Sequence, residues 1–167
     1  HGTDITLVGN DRSLFPMTRF ALEQSDGITS VSHYLEAKTR EVFETTRPIR
    51  VIPNFVDTRR FMPEARPDLR ACMAPEGQRI LVHLSNFRSV KRVPDTVGIL
   101  AHVRGTVPAK LLLIGDGQDR PHALHLATTL GVERDVIFLG KQDDVQSLLA
   151  IADLFLLPSE EEAFGLA

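Results

Sequence analysis

Short apolar runs alternate with amphipathic stretches along the chain. Residues 79–85 (RILVHLS), 109–115 (AKLLLIG), 135–140 (DVIFLG) and 153–158 (DLFLLP) are compact and rich in Ile, Leu, Val and Phe. Runs of that length and content predict strands. Between them, residues 93–105 place Val97, Leu100, Ala101 and Arg104 on successive turns. Residues 119–131 end at Gly131, which suits a helix C-cap, and 143–152 start at Asp143, a candidate N-cap. These three stretches predict helices. Unbroken apolar strands alternating with helices imply a parallel sheet covered on both faces. The second half of the chain therefore reads as four strands of a doubly wound α/β fold.

The first half carries the same alternation in shorter pieces. Residues 14–25 space Phe15, Thr18, Ala21 and Leu22 as a helix does, and 27–32 (GITSVS) is β-branched and strand-like. Residues 33–44 return to helical spacing with Leu35, Thr39, Val42 and Phe43 inward and Ser32 as the N-cap. Residues 49–54 (IRVIPN) form another short strand closed by Pro53. Residues 55–68 then hold two prolines and no sustained period, which reads as a linker between domains. A short helix over 68–74 follows. The expected organisation is the end of one α/β domain at 1–54, the linker at 55–68, and a second α/β domain from 69 to 167.

Composition narrows the function classes. A chain of 167 residues accommodates one domain or parts of two. The net charge of −3 argues against nucleic acid or an anionic membrane surface as partner. No apolar run approaches the ~20 residues that span a bilayer. The single cysteine, Cys72, excludes an internal disulfide and fits a reducing, cytoplasmic compartment. A start at His1 and a stop in the charged turn PSEEEAFGLA read as a piece of a longer protein.

Doubly wound folds bind ligands outside the carboxyl ends of their strands, so the strand exits carry the chemistry. After 79–85 comes SNFRSVKRV, with Arg88, Lys91 and Arg92 entering a helix. Cations oppose the dipole at that end, and an anion such as a diphosphate between them resolves the conflict. The plain alternative is a solvated basic loop. After 109–115, GDGQDR offers Gly115 and Gly117 for a tight turn and close backbone approach, but Arg120 stands where the full G-x-G-x-x-G fingerprint needs its last glycine. After 135–140, Lys141 and Gln142 follow a glycine exit that suits a flat base, or simply begin a helix. After 153–158, Glu160, Glu161 and Glu162 precede Phe164 and Gly165. A carboxylate there accepts sugar hydroxyls, or else serves the dipole of a following helix. Taken together, the exits describe a nucleotide-sugar pocket. At the other end, His1-Gly2-Thr3-Asp4 supplies an imidazole, a hydroxyl and a carboxylate, with a local cap by Thr3 or Asp4 as the alternative.

The segments SNFRSVKR, LLLIGDG, VIFLG and ADLFLLPSEEEAFGLA, in this order and spacing, resemble the family 4 retaining glycosyltransferases of the GT-B fold. VIPNFVDTRRFMP resembles the segment joining their two Rossmann-like domains, so the likeness covers essentially the whole chain. HGTDITLVG with HLSNFRSVKRV resembles the members that begin bacillithiol biosynthesis. That likeness implies transfer of N-acetylglucosamine from UDP-GlcNAc to the hydroxyl of L-malate, with retention.

Several roles follow from the resemblance. Lys91 matches the lysine that grips the diphosphate. The family usually has an arginine five residues earlier, where this chain has Asn86. Arg88 is the nearest replacement, which leaves Asn86 for the phosphate or the acceptor side. Glu162 matches the first glutamate of an E-x7-E motif that contacts the donor sugar. Phe164 and Gly165 match backbone N–H groups near sugar and phosphate, and Lys141 and Gln142 match the backbone that reads uracil. His1 matches a histidine at the transfer site, with Thr3 and Asp4 on the acceptor side. His1, Lys91 and Glu162 are thus the implied catalytic residues. No D-x-D motif is present, so the expectation is a metal-independent transferase without a cofactor. A homo-oligomer is left open. Two other readings remain: a related transferase with another acceptor (an inositol phosphate, a lipid or a sugar), or a nucleotide-binding module without catalysis.

Overall fold

The computed structural model describes residues 13–160 and 162. They fall into two compact units that divide between Val56 and Asp57, inside the proline-bearing stretch 55–68.

The first unit runs α1 (Phe15–Gln24), β1 (Ile28–Ser30), α2 (His33–Phe43) and β2 (Ile49–Val51). β1 and β2 pair in parallel, Ile28 opposite Ile49 and Ser30 opposite Val51. Ser32 caps α2 by accepting the Leu35 N–H at 3.2 Å, as its position predicted. Leu35, Thr39 and Phe43 are buried, and the Phe43 ring stacks on Phe15 with centroids 5.2 Å apart. β2 ends earlier than the apolar run suggested. The Ile52 N–H still reaches Ser30 O at 2.8 Å, but Pro53 has no N–H to continue the ladder.

The second unit opens on α3 (Pro67–Met73) and continues β3 (Arg79–Leu84), α4 (Val93–Arg104), β4 (Ala109–Ile114), α5 (Arg120–Thr129), β5 (Val136–Gly140), α6 (Val145–Ala150) and β6 (Leu154–Phe155). The four strands lie in the order β5-β4-β3-β6, and every pairing is parallel. The chain steps outward from β3 to β4 to β5, then returns to the other side of β3 for β6. That reversal makes the carboxyl end of β3 a topological switch point, where doubly wound sheets bind ligands.

Both faces of this sheet are covered. Leu81, Leu111 and Leu113 pack with Val93, Val97 and Leu100 of α4 and Ala123 and Ala127 of α5. Ile80, Val82, Leu112 and Ile114 pack on the opposite face with Leu148 of α6 and Ala74 beside α3. Successive strand residues point to opposite faces. A strand covered twice therefore has no polar alternation, which is why β3 and β4 read as continuous apolar runs.

Asp153, just before β6, fastens the sheet edge. Its carboxylate accepts the Ile80 N–H at 2.8 Å and meets Arg70 at 2.7 Å and Arg79 at 3.0 Å. Burial on its own would raise the Asp153 carboxyl. The Ile80 N–H and the two guanidiniums outweigh it and hold the group below its ordinary value. α5 ends as expected of Gly131: this residue takes φ +67°, its N–H reaches Thr128 O at 3.1 Å, and Val132 N–H reaches Ala127 O at 2.9 Å. The N-cap of α6 is Asp144, not Asp143. The Asp144 carboxylate accepts the Ser147 N–H at 3.3 Å, because the chain turns one residue later than the sequence suggested. Hydrogen bonding from Ser147 also holds that carboxyl below its ordinary value, with Arg66 and Arg60 adding to it.

Candidate functional site

The exits of β3, β4 and β5 enclose a cavity of about 280 Å³. Leu84 and Ile114 give it an apolar wall, and Ser85, Asn86, Gly115, Asp116, Lys141 and Gln142 supply the polar groups. An apolar pocket with a few convergent polar groups is the usual form of a small-molecule site.

Two of its edges are stitched backbone to backbone. Gly115 has φ +119°, and a Cβ there would stand 1.8 Å from the Ser85 carbonyl oxygen. A Cβ on Gly117 would stand 2.3 Å from the Asn86 carbonyl oxygen. Hydrogen bonds complete the seam: Ser85 N–H to Ile114 O at 3.1 Å, Asp119 N–H to Phe87 O at 3.0 Å, and Gln118 Nε2 to Ser89 Oγ at 3.1 Å. The close approach expected of these glycines is therefore made to the neighbouring loop. β5 joins in through the Gly115 N–H, which donates to Gly140 O at 2.7 Å.

Four expected residues come together here: Asn86, Gly115, Lys141 and Gln142 all line the cavity. The Gln142 side-chain amide folds back and donates to Leu139 O at 2.6 Å. The Gln142 side-chain amide is thus engaged within its own loop. Arg88 and Lys91 lie next along the loop, Arg88 leading into a 3-10 turn at Ser89–Lys91. Neither lines the cavity. Arg92 sits at the start of α4 with φ +52° and pairs with Asp95 in that helix's first turn at 2.5 Å. Asp95 thus answers the conflict between Arg92 and the helix dipole. Glu162 is half-buried and groups with the first compact unit. His1, Thr3, Asp4, Phe164 and Gly165 lie outside the described residues.

Three residues at this end escaped the sequence reading. His83 is fully buried on β3. Its Nδ1 faces Leu156 O at 2.9 Å, and its Nε2 faces Ser85 Oγ at 2.8 Å. Ser85 Oγ also receives the Phe87 N–H at 3.2 Å. Phe87 takes φ +41° with its ring fully buried, a backbone conformation that is uncommon for a bulky residue. The signal in the sequence was one imidazole inside an apolar strand, since a buried polar group needs partners.

The family profile "Glycosyl transferases group 1" matches residues 67–167. The chain belongs to this family of glycosyltransferases. Among its relatives, the N-acetyl-alpha-D-glucosaminyl L-malate synthase of Bacillus anthracis is 47% identical over 167 residues, covering 99% of this chain and 44% of that protein. The lipopolysaccharide core biosynthesis glycosyltransferase LpsE of Rhizobium meliloti is 34% identical over 119 residues, covering 71% of this chain and 33% of that protein. The chain thus spans less than half the length of either. The sucrose-phosphate synthase of Thermosynechococcus elongatus superposes with a TM-score of 0.80 over 93% of this chain and 40% of that one, at 24% identity. This group 1 glycosyltransferase chain has the GT-B type of parallel α/β architecture. Among its described residues, no helix is long and apolar enough to cross a membrane.

Proposed function

We propose that the full-length protein transfers N-acetylglucosamine from UDP-GlcNAc to the hydroxyl of L-malate with retention, the opening step of bacillithiol biosynthesis. The observation that carries this reading is the 47% identity to the malate synthase across nearly the whole chain. The cavity beyond β3, β4 and β5 supports it as the nucleotide end. Lys141 and Gln142 offer backbone to uracil, Lys91 with Arg88 takes the diphosphate, and Glu162 with Phe164 and Gly165 takes the sugar. His1 serves the transfer site, and Thr3 and Asp4 the acceptor side.

The departing UDP gains negative charge in the transition state. Fixed cations and helix N–H groups stabilise that charge more than they stabilise the bound substrate. Lys91, Arg88 and the start of α4 fill this role, so no metal ion is assigned to it. Retention fits attack on the same face, with the leaving phosphate accepting the malate proton as the C–O bond to UDP breaks. The test is UDP release by the full-length protein with UDP-GlcNAc and L-malate. Release that does not depend on malate sinks the acceptor assignment.

A second reading has the same donor logic with a different acceptor. The similarity to LpsE, a lipopolysaccharide core glycosyltransferase, favours it. A panel of malate, inositol phosphate and lipid acceptors separates the two. The 167-residue chain by itself is proposed to bind UDP without transferring sugar, which calorimetry and a transfer assay check together.

A further inference from the structure

The exits of β3 and β6 are tied through one side chain. The β3–β6 ladder pairs Leu81 with Leu154 and Val82 with Phe155. Its last backbone bond runs from Leu156 N–H to Val82 O at 2.8 Å. His83 then carries the connection past the end of the ladder: its Nδ1 meets Leu156 O at 2.9 Å. From the same ring, Nε2 meets Ser85 Oγ at 2.8 Å, and Ser85 Oγ takes the Phe87 N–H at 3.2 Å.

The partners place a hydrogen on Nδ1. A carbonyl oxygen only accepts, so Nδ1 carries hydrogen. A backbone N–H only donates, so Ser85 Oγ accepts from Phe87 and is free to donate its own hydrogen to Nε2. An imidazole with hydrogen on Nδ1 satisfies Leu156 O, while Ser85 Oγ serves Nε2 and the Phe87 N–H together. The relay ends at Phe87, whose φ of +41° redirects the chain into the Arg88–Lys91 turn. A separate bond, Glu160 N–H to Val90 O at 2.9 Å, ties the β6 exit to that same turn.

We propose that His83 is a positioning residue that sets the loop after β3 and the segment after β6 relative to each other. It does not line the cavity at the exits of β3, β4 and β5 and acts through Ser85 and Leu156. If the functional reading above holds, on which this last step rests, one buried imidazole aligns the diphosphate loop with the segment leading to the donor sugar.

The test replaces His83 by side chains that each keep half of the relay. His83→Asn places an amide N–H near the Nδ1 position and retains Leu156. His83→Gln places an amide oxygen near the Nε2 position and retains Ser85. Ser85→Ala leaves the imidazole and its packing in place while cutting the link to Phe87, so the experiment does not depend on a histidine variant folding. Amide hydrogen exchange is read at Phe87 and Glu160 in the full-length protein, with imidazole ¹⁵N shifts reporting the tautomer. Phe87 is expected to exchange about tenfold faster in His83→Asn and Ser85→Ala, the effect of losing one hydrogen bond. In His83→Gln the faster site is expected to be Glu160. The wild-type shifts should show hydrogen on Nδ1. Equal acceleration at both amides in all variants, or none at either, overturns the proposal and leaves His83 as packing. UDP and uridine titrations run in parallel. If the wild type binds neither, the nucleotide reading fails, while the exchange pattern still decides the role of His83.

Discussion

The methyl group that Gly115 lacks would stand 1.8 Å from the carbonyl oxygen of Ser85. No side chain fits there without separating the loops after β3 and β4. Gly115→Ala is therefore expected to destabilise the fold by about 3 kcal/mol, the upper range for overpacking with added backbone strain. Gly77 is the control: it shares a positive φ of +74° but has open space around its Cβ position. Gly77→Ala should lose only the left-handed penalty of about 1–2 kcal/mol. Thermal melts of the two variants check the difference, and equal losses would show that contact with Ser85 is unimportant.

Lys91 lies at the end of the 3-10 turn, within the loop proposed to hold the diphosphate. Its charge matters most when UDP departs. Lys91→Ala is expected to lower kcat by ~10²–10³, as removal of one transition-state donor does elsewhere. Arg88→Ala should cost less, about tenfold, if its reach to the phosphate is longer. UDP release by the full-length protein measures both. A chelator should leave the wild-type rate unchanged, and loss of activity restored by a divalent ion would overturn the assignment of this role to the cations.

Asp153 makes stability depend on acid. Its carboxyl is held below the ordinary 3.8 in the folded protein despite burial, by the Ile80 N–H, Arg70 and Arg79. A depressed folded-state value means that its stabilisation is complete above that ordinary value. The stabilisation is lost as pH falls below it through the folded value. Arg79 is mostly exposed, so solvent screens part of the pairing. Asp153→Ala is expected to destabilise by about 2 kcal/mol at pH 7, on the scale of charged hydrogen bonds. Urea unfolding at pH 7 and pH 3 should show the gap between variant and wild type shrinking in acid.

The parallel sheet was legible because β3 and β4 are covered on both faces and so lack polar alternation. The short strands β2 and β6 were drawn too long. Apolar content continues past Val51 and Phe155, but Pro53 ends one ladder, and β3 itself ends two residues beyond Val82, the last partner of β6. Placing the α6 cap at Asp143 missed by one because two adjacent aspartates offer the same chemistry, and only the turn chooses between them. The cavity's rim was readable from strand exits, since topology alone sends those residues to one end. The His83 relay was not readable, because Leu156 is 73 residues from its imidazole. Gly117 read as part of a tight turn that permits close backbone approach. Its constraint comes from the Asn86 carbonyl, a neighbour that only the sheet order creates.

Asn86 stands where the resemblance to the family leads one to expect an arginine, so its role is open to a direct test. Its backbone carbonyl is pinned against Gly117, within 2.3 Å of where a Cβ would sit, while its side chain lies exposed at the cavity rim. Asn86→Arg therefore changes the rim and leaves the loop path intact. A further cation near the diphosphate, beside Lys91 and Arg88, should tighten UDP binding by about 1 kcal/mol, roughly fivefold, the scale of one partly solvated charge pair. If Asn86 faces the acceptor, the same change should raise the KM for L-malate, since the longer side chain fills the space the acceptor needs. Calorimetry with UDP and malate-dependent kinetics separate the two effects. Tighter UDP with unchanged malate kinetics assigns the position to phosphate, and weaker malate with unchanged UDP assigns it to the acceptor side. No change in either removes Asn86 from the site.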